Sequence, residues 1–246
     1  MDYSDYSWLR APAADIAATA RSLLGWEVAG DGVRVRLTEV EAYAGTGEDP
    51  ASHAHRGPTP RARVMFGPAG SAYAYFVFGM HWCFNIVCGR VGEAAAVLMR
   101  AGQVVDGLEL ARLRRGGVAD RDLARGPARL GSALGVGPEA NGTSMVDGTG
   151  PLRLTPPTRP VGAAEIAVGP RVGVAAAHDL PWRFWIAGDP TVSAYRRHTP
   201  RRGRAGPGPG AGRGPEAGQG AGAGQGPAVG PAPGGGSGSG VGPVPG

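Results

Sequence analysis

Residues 33–43 read "VRVRLTEVEAY" and alternate as a strand does. A period of two puts Val33, Val35 and Leu37 on one face together with Glu39, Glu41 and Tyr43. Arg34, Arg36, Thr38, Val40 and Ala42 take the other. A carboxylate on a core-facing side is costly unless it is paired, neutralised or set against a wet hollow. Either a bulge near Thr38 reverses the register, or the strand carries acid into a cleft.

The flanking sequence supplies the remaining elements. "APAADIAATARSLLGW" places Ile16, Ala20, Leu23 and Leu24 at helical spacing, with proline near the start and glycine after the last leucine. Residues 45–70 form a long loop rich in Gly, Pro and His, of a length that is usually functional or mobile. "SAYAYFVFGMHWCFNIVCG" reads as a hairpin: Ser71–Phe78, a turn at Gly79-Met80, then His81–Cys88. A third strand covers Ala95–Arg100. A helix follows with Asp106 as its cap, and a second opens at Pro127. "PLRLTPP", "RVGVAAA" and "RFWIAG" read as later short strands or extended segments. Strands and helices without regular alternation predict an α+β fold rather than a doubly wound sheet.

Composition sets the bounds. From Arg201 onward the last 46 residues hold 19 Gly and 8 Pro with no aromatic, Leu, Ile or Met, so they are expected to be a disordered tail. The foldable part has the size of one domain. All 25 basic residues are arginine, so there is no lysine amine for Schiff-base chemistry. Residues 1–200 carry 21 Arg against 19 acids, so polyanion binding there must come from a local patch. No apolar run is long enough to span a membrane, and the acidic N-terminus lacks a signal peptide's apolar centre. Cys83 and Cys88 lie too far apart on one strand to bond, which fits reduced thiols in a cytoplasmic protein.

Three pieces carry chemistry: "EVEAY", the aromatic hairpin and "VLMRA". Together they offer carboxylates, flat rings, an amide and an arginine, a set suited to a stacked base and phosphates. Any single ring on a strand is more simply read as core. Phe78 is harder to place in a core, because beside the Gly79-Met80 turn it falls at a hairpin tip, where an apolar ring suits insertion into a base stack. His53/His55 and His81/Cys83 lack familiar zinc spacing, so no metal is expected. No glycine-rich phosphate loop or nucleophile elbow occurs.

Taken together, "TEVEAYAGTGEDPASHAHRG", "RARVMFGPAGSAYAYFVFGMHWCFNIV", "AVLMRA", "GPARL" and "RVGV" resemble the alkyladenine DNA glycosylase family, the 3-methyladenine or alkylpurine glycosylases. The resemblance runs from about Leu23 to Ser193, five motifs in consistent order. It implies a single glycosylase domain over residues 1–200, with a curved, mainly antiparallel sheet, surrounding helices and a protruding β-hairpin. It further implies a monofunctional enzyme without lyase activity or cofactor. Such an enzyme flips alkylated or deaminated purines from double-stranded DNA and hydrolyses the N-glycosidic bond, as a monomer at the bacterial nucleoid.

Residue by residue, the resemblance gives Glu41 as the water-activating acid and Arg100 as the arginine that holds the water. It gives Tyr43, His53 and Tyr75 as base contacts, Asn85 as a guard against guanine, and a backbone group around Val172 as a further water contact. The loop between Tyr43 and His53 differs in length by one residue. Phe78, with Met80 beside it, is the intercalating position, where mammalian members carry tyrosine; the phenyl ring fills the same gap without the hydroxyl. On this reading Arg100 keeps Glu41 ionised, and Glu39 is a peripheral salt bridge. A lesion sensor that does not cut and a metal-dependent hydrolase are the alternative classes.

Overall fold

The computed structural model describes residues 5–199; the expected tail at residues 201–246 lies outside them. Eight strands make up one sheet: β1 Glu27–Gly30, β2 Val33–Tyr43, β3 Ala72–Val77, β4 His81–Cys88, β5 Ala95–Asp106, β6 Leu152–Thr155, β7 Ile166–Gly169 and β8 Arg183–Ile186. Their order is β3-β4-β5-β2-β1-β6, with β8 pairing to β2 and β7, and every one of these pairings is antiparallel. Three α-helices, α1 Ile16–Ser22, α2 Leu108–Arg115 and α3 Pro127–Ala133, complete the α+β fold among the described residues.

β2 organises the molecule. Val33, Val35 and Leu37 enter the main core, and after a break so do Val40, Ala42 and Ala44. The break falls where the β2–β5 ladder is irregular, between Leu37↔Gly102 and Val40↔Met99. There one edge of β2 changes partner, from β1 along Val33–Arg36 to β8 along Glu39–Glu41. Strands commonly bend where they change partners. The bend inverts the facing of all that follows, so Glu41 and Tyr43 point away from the core. Both sequence expectations hold in combination: the register reverses at Thr38-Glu39, and the reversal delivers the acid to a hollow on the opposite side.

Gly102 permits this bend. A Cβ there would lie 2.4 Å from the Val35 side chain and 2.5 Å from the Arg36 carbonyl oxygen. Across the break, the buried Thr38 hydroxyl meets that of Thr191 at 2.8 Å.

The core side of the sheet is covered by α1, which packs on β2 and β5, and by α3, which packs on β4 and β5. Ile16, Ala20, Leu23, Leu130, Ala133 and Leu134 meet Phe84, Ile86, Val97 and Met99 in one buried cluster. The long loop after β2 covers part of the opposite side through a smaller cluster of its own, with Ala54, Ala62 and Met65 packed on Tyr73, Val87 and Ala96. That anchorage holds His53 beside the sheet.

Several boundaries differ from expectation. α1 is shorter than its apolar pattern, with a 3-10 turn at Ala13–Asp15 before it and Gly25 in the left-handed region (φ 83°) after it. β5 runs on past Arg100 to Asp106, so Asp106 ends a strand and caps no helix; Gly107 (φ 72°) turns the chain into α2. Its carboxylate pairs instead with Arg34, at 3.2 Å. β1 and β7 are too short to show a period of their own. "RVGVAAA" is not a strand, because its first amides serve a carboxylate and a distant carbonyl rather than a ladder: Val172 donates to Glu41 and Gly173 to the Arg196 carbonyl.

Candidate active site

On the side of the sheet away from the main core lies a cavity of about 880 Å³. Its lining includes Glu41 and Tyr43 from β2, Tyr73 and Tyr75 from β3, Cys83 and Asn85 from β4, and Leu98 and Arg100 from β5. Register explains the convergence. Tyr73 lies opposite Asn85, Asn85 opposite Leu98, and Leu98 opposite Glu41, so one row of neighbours crosses four strands. His53 comes from the long loop, and Val172 from the segment before β8. Arg125, Arg129 and Arg196 also line the cavity.

Glu41 is fully buried. Its Oε1 accepts the Val172 N–H at 2.7 Å and its Oε2 accepts the Tyr43 hydroxyl at 2.9 Å. Arg100 Nε lies 3.5 Å from Oε1. Burial pushes the Glu41 carboxyl above the ordinary glutamate range; Arg100, the Val172 amide and the Tyr43 hydroxyl pull it part of the way back, and the charge of Glu39 adds to the rise. Arg100 therefore lowers the proton affinity of Glu41, against the larger opposing effect of burial. The amide of Val172 bonds directly to the acid.

Glu39 departs from the expected peripheral salt bridge. It is not peripheral but completely buried. Its carboxylate binds Arg100 at 3.0 Å, the Arg183 guanidinium, and the Ser193 amide at 2.7 Å. Arg100 thus sits closer to Glu39 than to Glu41.

The aromatic walls are held just as firmly. A second buried pair, Arg171 with Asp49 at 2.6 and 2.8 Å, lies behind Tyr43. The Arg171 guanidinium stands 4.6 Å from the Tyr43 ring centroid, covering one face of that ring. It also donates to the Ala42 carbonyl, so the long loop, β2 and the Val172 segment are tied at one point. Across the cavity His53 meets the Tyr75 ring edge-on at 4.9 Å, and its Nδ1 lies 2.8 Å from the Tyr73 hydroxyl. Burial, helped by Arg61, lowers the His53 pKa to about 4, so the imidazole is neutral at physiological pH. Asn85 donates from Nδ2 to the Tyr73 carbonyl at 3.1 Å. Burial raises the Cys83 thiol to about 11, so it lines the wall as a neutral group.

Phe78 and Met80 occupy the tip of the β3–β4 hairpin and are 84% and 67% exposed. Phe78 lies at the edge of the cavity lining; Met80 does not line it. Phe78 and Gly79 both have positive φ, 54° and 69°, and Met80 N–H closes on the Val77 carbonyl at 3.2 Å. That is the tight turn whose twist suits a hairpin, and it holds a bulky ring outward at some backbone cost.

The structure thus assembles Glu41, Tyr43, His53, Tyr75, Asn85, Arg100 and Val172 around one cavity, with Phe78 at its rim. Sequence reasoning missed Tyr73, Asp49, Arg171 and Arg183. Tyr73 was within reach, since it shares a face with Tyr75 by simple alternation. Asp49 and Arg171 are separated by 122 residues and had no local signal. Among the described residues no group of three or more His, Cys, Asp or Glu is placed to hold a metal, and no helix is long and apolar enough to cross a membrane.

Comparison with known proteins identifies a family for the chain. A sequence profile for methylpurine-DNA glycosylase matches residues 10–190. A protein of Frankia casuarinae named "Putative 3-methyladenine DNA glycosylase" is 50% identical over 198 residues, covering 77% of this chain and 92% of its own length. Proteins of the same name from Nocardia farcinica (52% identical; 74% of this chain, 88% of theirs) and Cutibacterium acnes (51%; 76% and 98%) are similarly close. With the profile spanning every strand that lines the cavity, the chain belongs to the methylpurine-DNA glycosylase family.

Proposed function

We propose that the chain removes damaged purines from duplex DNA by hydrolysis, acting on a nucleotide turned out of the helix into the aromatic cavity. The observation that carries this reading is the buried Glu41 carboxyl, held by the Val172 amide and the Tyr43 hydroxyl at the wall of that cavity. A flipped purine would stack on the uncovered face of Tyr43, with Tyr75 and His53 opposite. Phe78 would fill the gap left in the base stack.

The chemistry needs one base. Glu41 as carboxylate takes a proton from water as the water oxygen bonds to the sugar C1′, and the C1′–N bond breaks with its electron pair passing to the purine. An alkylated purine carries positive charge, so it leaves neutral and needs no acid. Its charge favours the electron-rich ring faces, by roughly 1–2 kcal/mol for each desolvated ring. It also favours the ionised form of Glu41, the form that accepts the proton. The neutral His53 adds no opposing charge. Deaminated purines lack that charge and would rely more heavily on the cavity.

Without lysine, the abasic product should be left uncut. A panel of duplexes, each with one lesion, tests both points. Methylated purines should be released as free base, with the strand intact until heat or alkali is applied. No released base from any duplex would leave lesion sensing without hydrolysis as the reading that survives, and spontaneous nicking would contradict the monofunctional mechanism.

A further inference from the structure

Between the proposed general base and the interior lies a second carboxylate that the hydrolysis above does not use. Glu39 is completely buried and collects three cationic or polar partners: Arg100, Arg183 and Ser193. A buried carboxylate with two guanidiniums would be unremarkable if it stood alone, but Arg100 is shared. Its Nε lies 3.0 Å from Glu39 Oε1, 3.2 Å from Ser193 Oγ and 3.5 Å from Glu41 Oε1. Ser193 Oγ in turn lies 3.0 Å from Glu39 Oε1. Arg100 thus faces both carboxylates, and the negative charge of Glu39 partly offsets it at Glu41.

We propose that Glu39 is a positioning residue for base release: by holding Arg100 with Arg183 and Ser193, it limits the positive charge reaching Glu41 and so sets the pH at which Glu41 becomes a base. The inference rests on the role of Glu41 given above. The groups that face Glu41 are few. β2 contributes Glu39 and the Tyr43 hydroxyl, β5 contributes Arg100, β3 the neutral Tyr75 phenol, and the segment before β8 the Val172 amide. Arg183, opposite Glu41 in the β2–β8 ladder, is engaged by Glu39. Asp49 and Arg171, the next buried charges, are paired with one another.

The signs follow from Coulomb's law. Glu39→Gln removes a neighbouring negative charge and frees Arg100 for Glu41, so Glu41 gives up its proton at lower pH. Ser193→Ala removes a hydroxyl that helps satisfy Glu39, so Arg100 turns further toward Glu39 and Glu41 holds its proton to higher pH. The serine variant removes one hydroxyl from a half-buried position and should fold even if the buried Gln does not.

The experiment is a carboxyl-carbon NMR titration of Glu41 in the intact chain, its signal assigned by loss in Glu41→Gln, alongside the acid limb of base release from a methylated-purine duplex. In Glu39→Gln the titration and the limb should move to lower pH, raising activity at the foot of the wild-type limb several-fold. In Ser193→Ala both should move to higher pH. A Glu41 titration unmoved in the variants that fold, or displaced in the same direction by both, would overturn the proposal. Because the titration needs no turnover, a wild-type chain that releases no base would sink the proposed hydrolysis while leaving Glu39 separately testable.

Discussion

Glu41 is held in a place that works against its charge. Burial raises its proton affinity, so the folded state binds the proton more tightly than the unfolded chain does. Its contribution to stability is therefore complete below the ordinary glutamate range and is lost as pH rises through the raised value. Glutamine would avoid that loss, since its oxygen can accept the Val172 amide and its nitrogen can donate to the Tyr43 hydroxyl, which then turns. Glu41→Gln should melt above wild type at pH 8, by about 2–4 °C for each kcal/mol recovered, and the gap should narrow toward pH 5. Thermal melts at the two values check this, and a gap that widens toward pH 5 would show that the acid is not destabilised by burial. The alternating pattern made Glu41 conspicuous in the sequence. Its environment was not legible there, because Arg171, Asp49 and Arg183 reach it or its neighbours from elements far along the chain.

At the scale of elements, the bend in β2 decides which side of the sheet the acid serves. Gly102 leaves room for that bend, so Gly102→Ala should destabilise the fold by about 1–3 kcal/mol and reduce base release more than heat stability alone explains. Denaturant titration beside single-turnover release at low temperature separates the two effects; full activity would mean that the bend tolerates a methyl group and does not aim Glu41. The hairpin makes a different demand. Its turn holds Phe78 outward, so Phe78→Ala should weaken base extrusion while Phe78→Tyr keeps it, as read by a fluorescent base reporter in the duplex. An unchanged signal in the alanine variant would remove the wedge. Strand patterns revealed β2, β3, β4, β6, β8 and the first half of β5 because residue patterning is a local property. They could not reveal that "RVGVAAA" would leave the sheet, since that depends on Glu41 claiming its amide.

Across the whole molecule, the sheet separates a dry side packed by helices from a side with a cavity covered in part by a loop. The order of strand and helix patterns could predict an α+β fold, and five motifs in order could predict the family, because both are carried by the chain itself. The sharing of Arg100 between two carboxylates could not be read from spacing, since it arises only when β2, β5 and the residues after β8 close on one another. The account turns on Glu41 as the base that activates water. Single-turnover release of a methylated purine by Glu41→Gln, measured beside its affinity for the same duplex, tests this most directly. The account predicts near-normal binding with release slowed by about 10²–10⁴-fold; release close to the wild-type rate would contradict it.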